Sequence, residues 1–227
     1  MKICILIPVY NESKNIGSVV AAVRNLKFDV VVVDDGSTDN SGAIALKNGA
    51  KVIRNDQKNG KGYSLQKGFE YIIKQGYDGV IIMDGDAQHA TEDLELFTGE
   101  ANIHPQSIVT GNRMKNAKGM PLVRYATNRF MSFLISWACH QSVADTQCGY
   151  RYIGADVLRN INLRCNSFEI ETEMLIEASR KGYKIYSVPI RTIYGDETSH
   201  IHPVKDTIRF FNYFIKEVFF SNKKYSP

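Results

Sequence analysis

The chain has 227 residues, of which 44% are hydrophobic and 23% are charged, and its formal net charge is +4. This length and apolar content suit one α/β domain with a substantial core, and they exclude a chain that is disordered throughout. The net charge is too small to indicate a nucleic-acid partner, and none is expected. The four cysteines lie far apart without a Cys-X-X-Cys pair, which argues against a zinc site or a disulfide framework and favours reduced thiols in a cytosol.

The first predicted element is a strand at residues 3–9, in the opening sequence MKICILIPVYNES. A lysine followed by apolar residues superficially resembles a secretory leader, but no small-residue cleavage site follows and the chain becomes polar at Tyr10. No apolar run reaches the ~20 residues that cross a bilayer. The best candidate, FMSFLISWA at 130–138, is much shorter.

Apolar strands alternate with helices through the first half of the chain. Strands are predicted at 3–9, 30–33, 51–53 and 80–83, and helices at 14–26, 41–48 and 62–75. Strands that are apolar throughout and alternate with helices predict a mostly parallel sheet with helices on both faces.

Polar clusters follow three of these strands. They are PVYNE (8–12), DDGSTDN (34–40) and DGDAQH (84–89). Each is an ordinary turn when taken singly, but ligands of such sheets bind outside the carboxyl ends of the strands. We therefore expect the three clusters to converge on one edge of the sheet and to form a shared site.

The second half of the chain is less regular. A strand is predicted at 107–110, then a polar loop, a helix at 122–139, a helix near 169–181 and a strand at 183–190. No repeat, low-complexity tract or linker interrupts the pattern, so a single domain is expected over 1–203. The tail, 204–227, is predicted to form an amphipathic helix with basic residues around its apolar face.

Two aspartates, Asp84 and Asp86, follow the fourth strand one residue apart in GVIIMDGDAQHA. If the extended backbone continues past Met83, both carboxylates project to the same side, because strand residues alternate faces. Like charges that crowd one spot attract a hard divalent cation. Asp84, Asp86 and Gln88 are therefore candidate ligands of Mg²⁺ or Mn²⁺. A polar turn that closes the strand is the alternative, and this segment alone does not decide between them.

A metal ion at this edge, with polar groups after two other strands, suits a nucleoside diphosphate whose pyrophosphate is bridged by the ion. The segment NDQKNGKGYS (55–64) adds Lys61, which we place among the donor-binding residues. The segment fails the P-loop pattern because Asn55 stands where that motif requires its first glycine, so a kinase or ATPase is not expected. A flexible basic turn before a helix is the structural alternative.

Six segments in matching order resemble glycosyltransferase family 2. They are IPVYNE, VVVDDGSTDNS, NGKGYSLQKGF, MDGDAQH, DTQCGYR and EIETEMLIEASRKGYKIYSVPIRTIYGDETSHI, and together they span about residues 2–210. Within the family, the chain most resembles the polyprenyl-phosphate glycosyltransferases, of which dolichol-phosphate mannosyltransferase is the familiar member. The resemblance implies a single-domain GT-A (Rossmann-like) α/β fold. It also implies an inverting, metal-dependent transfer of a sugar from a UDP- or GDP-sugar to an acceptor, with a polyprenyl phosphate as the expected acceptor.

The resemblance also implies roles for individual residues. Four residues would line the nucleoside pocket, where Asp35 would accept a hydrogen bond from the base: Pro8, Tyr10, Glu12 and Asp35. Three fall on the family's metal-binding segment, where Asp86 also counts as catalytic: Asp84, Asp86 and Gln88. Three fall near the positions where the subgroup holds the acceptor phosphate: Arg113, Arg129 and Ser132.

The acceptor decides whether a base is needed. The second pKa of a phosphate monoester is about 6, so its oxygen is already an anionic nucleophile at neutral pH and only orientation and charge relief are required. For such an acceptor, Arg113 and Arg129 are the expected catalytic contacts, and a surface arginine without a role is the alternative. A sugar hydroxyl would instead need a base. Asp145, which opens DTQCGYR, is the candidate base, and its structural alternative is a turn cap or an ion pair with Arg151.

The end of the chain offers a flap and a membrane contact. Arg191, His200 and His202 are candidates for a flap over the pyrophosphate, although Ser199-His200 stands where the subgroup often has Ser-Lys. The last helix suits either an interfacial helix at anionic headgroups or packing on the protein's own domain. A cytoplasmic protein in peripheral contact with the inner face of the membrane is expected.

Two other protein classes share parts of the pattern. A response-regulator receiver domain has paired acids after one strand, but it needs no strand before them and ends far short of residue 227. A nucleotidyltransferase has a related sheet, but IPVYNE stands where its glycine-rich N-terminal loop is expected.

Overall fold

The computed structural model describes residues 1–117, 119–191, 193, 210, 213–215 and 217. Residues 1–195 form one compact unit and residues 196–227 form a second. The predicted boundary after residue 203, His200, His202 and most of the predicted last helix lie outside the described residues.

The first unit is built on a mixed sheet. Its strands, within the described residues, are β1 (Ile3–Val9), β2 (Asp29–Asp34), β3 (Lys51–Arg54), β4 (Gly79–Ile82), β5 (Ile108–Asn112), β6 (Arg151–Gly154) and β7 (Ile185–Pro189). The spatial order is β3-β2-β1-β4-β6-β5-β7. Only β6 runs antiparallel to its neighbours β4 and β5, and every other pair in the described sheet is parallel.

Helices connect the strands. They are α1 (Ile16–Asn25), α2 (Ser41–Lys47), α3 (Lys61–Lys74), α4 (Leu94–Ile103), α5 (Leu122–Cys139), α6 (Ala155–Asn160) and α7 (Ile170–Arg180). Short 3-10 turns precede α4 and α5, at Thr91–Asp93 and Met114–Asn116. None of the helices in the described ranges is both long and apolar enough to cross a bilayer.

The core lies where helices cover the central strands. Four side chains of α1 are buried at a spacing that places them on one helical face: Ile16, Val19, Val20 and Val23. β4 is buried along its whole length, as is expected for a central strand covered on both faces. The sequence pattern therefore predicted the β1–β4 half of the sheet correctly, with element ends displaced by one or two residues.

The structure differs from the sequence prediction in several elements. The helices α4 and α6 were not predicted. The strand β6 was not predicted. It has only four residues, and it follows a polar motif that the chain reaches after the long helix α5. The backbone also does not continue as a strand to Asp84: β4 ends at Ile82, a turn follows, and Ala87 has a φ of 61°. Strand alternation therefore does not explain the placement of Asp84 and Asp86.

All the parallel strands of the described sheet end at one edge, and the antiparallel β6 begins there. The strands that end there are β1, β2, β3, β4, β5 and β7. The predicted convergence of the three polar clusters is confirmed, since Asn11 N donates to Ser37 Oγ at 3.0 Å across β1 and β2. Glu12 Cγ would lie 3.6 Å from a Cβ placed on Gly85, which joins the β1 and β4 clusters.

Candidate active site

The residues expected to enclose a nucleoside lie at or just after the ends of β1 and β2. Tyr10 is half-buried, and the Lys58 ammonium lies 3.7 Å from the centre of its ring. Pro8, also half-buried, is the penultimate residue of β1. Glu12 connects the end of β1 to α1 and α2. Its backbone N–H donates to Ser41 Oγ at the start of α2 at 2.7 Å, and its carbonyl accepts from Ile16 N at the start of α1.

Asp35 holds the loop that leads into α3. Its carboxylate accepts hydrogen bonds from Asn55 Nδ2, Asn59 N and Gly60 N at 2.8, 2.9 and 2.8 Å. The side chain is buried, and these three donors already occupy both of its oxygens. The predicted contact with a nucleotide base would therefore have to share an oxygen with this loop.

Lys61 joins two carboxylates at the first turn of α3. Its ammonium donates to Asp84 Oδ1 at 2.6 Å and to Glu171 Oε1 at 2.7 Å. Burial is the largest single influence on Asp84 and would raise its pKa, but the charge and hydrogen bond of Lys61, together with the nearby His89 and Arg113, outweigh burial and lower that pKa to about 2. Lys61 and Asp84, which the sequence analysis assigned to the donor site, are thus brought into direct contact, and Glu171 from α7 joins them.

Asp86 lies in a different electrostatic environment. Its Oδ1 accepts from Gln88 N at 3.0 Å, and in the described part of the chain it has no ion-pair partner. Burial, followed by the negative charge of Asp84, raises the pKa of Asp86. A carboxylate destabilised in this way is a group whose ionised form a cation would stabilise.

These residues fit a divalent ion that takes only part of its coordination from the protein. Mg²⁺ commonly binds one or two carboxylates together with substrate phosphates and water. Within the described residues, no three or more His, Cys, Asp and Glu side chains form a complete metal cage. Asp84, Asp86 and Gln88 carry oxygen donors of the kind that such partial coordination requires, and their binding of Mg²⁺ or Mn²⁺ stays a prediction.

His89 stabilises the turn that follows β4. Its ring stacks on Tyr150, with centroids 4.7 Å apart, and its Nδ1 accepts a hydrogen bond from Asp84 N at 3.2 Å. Burial lowers the pKa of His89, so the ring is neutral at physiological pH and Nε2 carries its proton. The stacked ring fixes the backbone that presents Asp84.

Gly149 leaves space for the charged cluster. A Cβ at this position would lie 2.9 Å from Asp84 Oδ2, 3.1 Å from Glu171 Oε1 and 3.1 Å from the Lys61 ammonium. The first contact is shorter than Cβ atoms show and the other two are tight, so an alanine here would require the three charged side chains to shift.

Two of the residues expected near the acceptor, Arg113 and Asp145, form a buried ion pair. Arg113 follows β5, and its Nε and Nη2 donate to the two oxygens of Asp145 at 2.7 and 3.0 Å. The Asp145 side chain is fully buried and also accepts from Gln147 N at 3.1 Å. Asp145 therefore pairs with Arg113, whereas the sequence analysis offered Arg151 as its partner.

Arg151 instead organises backbone carbonyls. Its Nε donates to the Cys148 carbonyl at 2.7 Å and its Nη2 to the Thr146 carbonyl at 2.6 Å, and Nη1 donates to the Glu171 carbonyl. Ser132 is buried and contacts this motif, since its Oγ accepts a hydrogen bond from Thr146 N at 3.0 Å. Arg151 thus ties the DTQCGYR motif to the start of α7.

The two remaining arginines of the prediction lie apart from this pair. Arg129 is exposed on α5, one turn before Ser132. Arg191, after β7, donates from Nη2 and Nε to Asp93 Oδ1 at 2.9 and 3.1 Å. The histidines of the predicted flap lie outside the described residues, so the flap stays a prediction.

Sequence reasoning assigned no role to Glu171, Gly149 or His89, and it considered Arg151 only as an ion-pair partner of Asp145. All four stand inside the segments that carry the family resemblance. Their involvement depends on the pairing of β6 with β4, which brings the 145–151 motif beside Asp84. Their positions inside these motifs could have marked the four residues as functional. Which side chains they contact could not be predicted without the order of the strands.

Comparison with known proteins identifies the family. Residues 4–161 match the model of Glycosyl transferase family 2. The chain belongs to this family. The resemblance inferred from its motifs is therefore confirmed.

Relatives named for dolichyl phosphate or undecaprenyl phosphate are similar to this chain over most of their length. A UDP-N-acetylglucosamine–dolichyl-phosphate N-acetylglucosaminyltransferase of Methanococcus voltae is 32% identical over 217 residues, which cover 86% of this chain and 86% of that protein. An undecaprenyl-phosphate mannosyltransferase of Micrococcus luteus is 31% identical, covering 84% of this chain and 83% of that protein. The similarity to the polyprenyl-phosphate group is thus also confirmed.

Solved structures show the fold. Mannosyl-3-phosphoglycerate synthase from Rubrobacter xylanophilus superposes with a TM-score of 0.75 at 16% identity, covering 96% of this chain and 74% of that one. Glucosyl-3-phosphoglycerate synthase from Mycobacterium tuberculosis, in complex with Mn²⁺, UDP and phosphoglyceric acid, has a TM-score of 0.70 at 17% identity, covering 94% of this chain and 76% of that one. The predicted GT-A fold is confirmed.

Proposed function

We propose that this chain transfers a sugar from a UDP- or GDP-sugar to a polyprenyl phosphate, with inversion at the anomeric carbon and with Mg²⁺ or Mn²⁺. Family membership establishes a glycosyltransferase. The relatives' names support the lipid-phosphate acceptor, and the complex of a structural neighbour with Mn²⁺ and UDP supports a metal-dependent nucleotide donor.

The observation that carries the acceptor class is the condition of Asp145. A sugar hydroxyl would need a base to take its proton, whereas a phosphate monoester is already anionic at neutral pH. Both oxygens of Asp145 accept from Arg113, and the carboxylate is fully buried. A carboxylate in this state is poorly placed to remove a proton from an acceptor, which favours an acceptor that needs no base.

The donor side has a matching arrangement. A divalent ion held by Asp84, Asp86 and Gln88 would neutralise the departing diphosphate. Lys61 holds the carboxylate of Asp84 at 2.6 Å and so orients it toward that site. Pro8, Tyr10, Glu12 and Asp35 would enclose the nucleoside on the β1–β2 side of the same edge.

The acceptor phosphate must approach a second negatively charged group, the donor pyrophosphate. Arg129 is exposed on α5, one helical turn before Ser132, whose Oγ accepts a hydrogen bond from Thr146 N. A guanidinium there can bind phosphate oxygens and relieve this repulsion. Arg113 can contribute through its remaining amino group, Nη1, while it stays paired with Asp145.

Binding of the donor tests the metal site. Titration calorimetry with UDP- and GDP-sugars, with and without Mn²⁺, should show metal-dependent binding that Asp86→Asn reduces at least tenfold. Glu95→Gln, an exposed acid on α4, is the matched control and should bind as the wild type does. Equal affinity of Asp86→Asn and wild type for every donor would reject the metal site.

Turnover tests the acceptor. A short-chain polyprenyl phosphate in detergent solution should accept the sugar, and the corresponding polyprenol should not. Arg129→Gln should raise KM for the lipid phosphate more than it lowers kcat, whereas Arg159→Gln, an exposed arginine on α6, should change neither. Transfer to sugar hydroxyls alone would overturn the proposal.

A further inference from the structure

A lysine ammonium contacts one of the two acidic residues that are expected to bind the metal ion. We define the Lys61 cluster as Lys61, Asp84 and Glu171. The ammonium lies 2.6 Å from Asp84 Oδ1 and 2.7 Å from Glu171 Oε1. The Lys61 side chain is 13% exposed, so little water competes with these two contacts. One oxygen of Asp84 is therefore already paired with a positive charge.

The ammonium stays charged in this position. Burial by itself would lower the pKa of Lys61, but the charges and hydrogen bonds of Asp84 and Glu171 outweigh burial and raise that pKa. An ammonium and a divalent ion on the same carboxylate repel each other, and salt screens this repulsion little where the charges are buried. Lys61 would therefore compete with a metal ion for Asp84.

The balance of charge around the Lys61 cluster supports this competition. Three carboxylates meet here, since the charge of Asp84 also acts on Asp86 and Glu171 shares the ammonium. Two cations oppose them, because Arg151 Nη2 lies 3.8 Å from Glu171 Oε2. Three negative and two positive side chains leave one negative charge. Because the affinity of oxygen-ligand sites for a divalent cation depends on the number of charged ligands, this residual charge favours weak binding of the ion alone.

A nucleoside diphosphate would change this balance in two ways. It brings negative charge of its own, and its phosphate oxygens complete the coordination of Mg²⁺ or Mn²⁺. It also offers the ammonium a new partner, because a lysine has three donors and its hydrogen bonds within the described residues use two. Glu171 would still hold the ammonium, so Lys61 can turn from Asp84 to a phosphate oxygen without losing its second carboxylate.

We propose that Lys61 is a resident counter-ion, which weakens the binding of a divalent ion to Asp84 until a nucleoside diphosphate draws the ammonium away. Glu171 is then the positioning residue that keeps the ammonium within reach of both partners. Metal and nucleotide bind cooperatively in this scheme, and each strengthens the binding of the other by the same factor. The inference rests on the proposed function, since it requires a metal ion at Asp84 and Asp86.

A purely structural tie is the alternative role of Lys61. The residue begins α3, and its ammonium joins this helix to the turn after β4 and to α7. If that were its only role, loss of the ammonium would displace the carboxylates and would leave metal affinity unchanged or weaker. Loss of a competing counter-ion would instead strengthen metal binding. The sign of the change therefore distinguishes the two roles.

Electron paramagnetic resonance of free Mn²⁺ measures metal binding without turnover. The wild-type protein should bind Mn²⁺ at least tenfold more weakly alone than with an excess of UDP or GDP, after correction for the Mn²⁺ that the nucleotide binds in solution. Equal affinity with and without each nucleotide would overturn the inference. This comparison needs no variant, so it holds even if a substitution in the Lys61 cluster impairs folding.

Substitution of Lys61 tests the sign. Lys61→Met should bind Mn²⁺ without nucleotide at least tenfold more tightly than the wild type, whereas Lys61→Arg keeps the charge and should bind as weakly as the wild type. The matched control is Lys74→Met, which removes the same charge from the exposed last residue of α3 and should change nothing. Wild-type or weaker affinity of Lys61→Met would overturn the inference.

Thermal unfolding gives a second measurement of the same difference. Mn²⁺ without nucleotide should raise the unfolding temperature of Lys61→Met more than that of the wild type, because a ligand that binds only the native state stabilises it. Circular dichroism of the same samples verifies that the variant is folded. An equal or smaller rise for Lys61→Met would contradict the proposed competition.

Asp86→Asn separates this inference from the proposed function. If Asp86→Asn abolishes Mn²⁺ binding in the presence of UDP or GDP, while Lys61→Met binds Mn²⁺ as the wild type does with and without nucleotide, the metal site stands and the counter-ion role is rejected. If neither the wild type nor Lys61→Met binds Mn²⁺ with any nucleotide, the metal site itself is rejected, and this inference falls with it.

Discussion

The buried pair of Arg113 and Asp145 should be among the most sensitive contacts of the domain. Asp145→Asn keeps the shape of the side chain but removes its charge and replaces one acceptor oxygen by a donor. The Arg113 guanidinium, whose side chain is 10% exposed, would then lack its counterion in a buried position. We expect the variant to fold but to be strongly destabilised.

The magnitude follows from two independent arguments. Removal of one partner of a buried ion pair costs about 3–5 kcal/mol, because the other charge stays desolvated. The two Arg113–Asp145 hydrogen bonds, at 2.7 and 3.0 Å, are charge-assisted, and each contributes roughly 1.5–3 kcal/mol. Both arguments therefore give a loss of about 4 kcal/mol in the free energy of unfolding.

Urea unfolding followed by circular dichroism measures this loss. With a slope of about 3 kcal/mol per molar urea, the midpoint should fall by roughly 1 M or more. Glu92→Gln is the matched control, because Glu92 is 71% exposed and lies 3.7 Å from Arg191. It removes the same charge from an exposed pair and should change stability by no more than about 0.5 kcal/mol.

The reasoning also predicts a partial rescue. Arg113→Met combined with Asp145→Leu removes both charges, so it should be more stable than Asp145→Asn alone. An Asp145→Asn midpoint as close to wild type as that of the control would refute the argument from uncompensated charge. A double variant no more stable than the single one would attribute the loss to the missing hydrogen bonds instead.

Three further predictions concern glycines and one buried acid. Gly149→Ala places a Cβ 2.9 Å from Asp84 Oδ2, so donor turnover should fall at least tenfold while the far-ultraviolet spectrum stays unchanged; turnover within twofold of wild type would contradict this. Gly62→Ala drives a Cβ into the backbone of Cys165 and should lower the free energy of unfolding by about 1–3 kcal/mol in urea, whereas Gly99→Ala, with open space around it, should be neutral or stabilising. Burial raises the pKa of Glu173 above its usual 4.5, so the native state holds this proton more tightly than the unfolded chain does. The free energy of unfolding should therefore decline with rising pH above about 4.5 more steeply in wild type than in Glu173→Gln, and parallel curves would contradict this.

Local pattern was sufficient for the first half of the fold. The apolar spacing of residues 62–75 predicted α3, and the uninterrupted apolar strands predicted a parallel sheet, because both patterns depend only on neighbours in sequence. β6 escaped prediction because its four residues carry no alternation signal, and they become a strand only by pairing between β4 and β5.

By itself, the sequence determined the family, the polar clusters at the strand ends and the acidic residues of the candidate metal site, since these are properties of motifs and of their order along the chain. Only the tertiary structure decided which charges meet. Lys61 reaches Glu171 across 110 positions, and Arg113 reaches Asp145 across 32, because the sheet order brings the ends of distant elements to one edge. The tertiary structure also decided which side of α5 is exposed, because an apolar helix shows this only after its other side has packed.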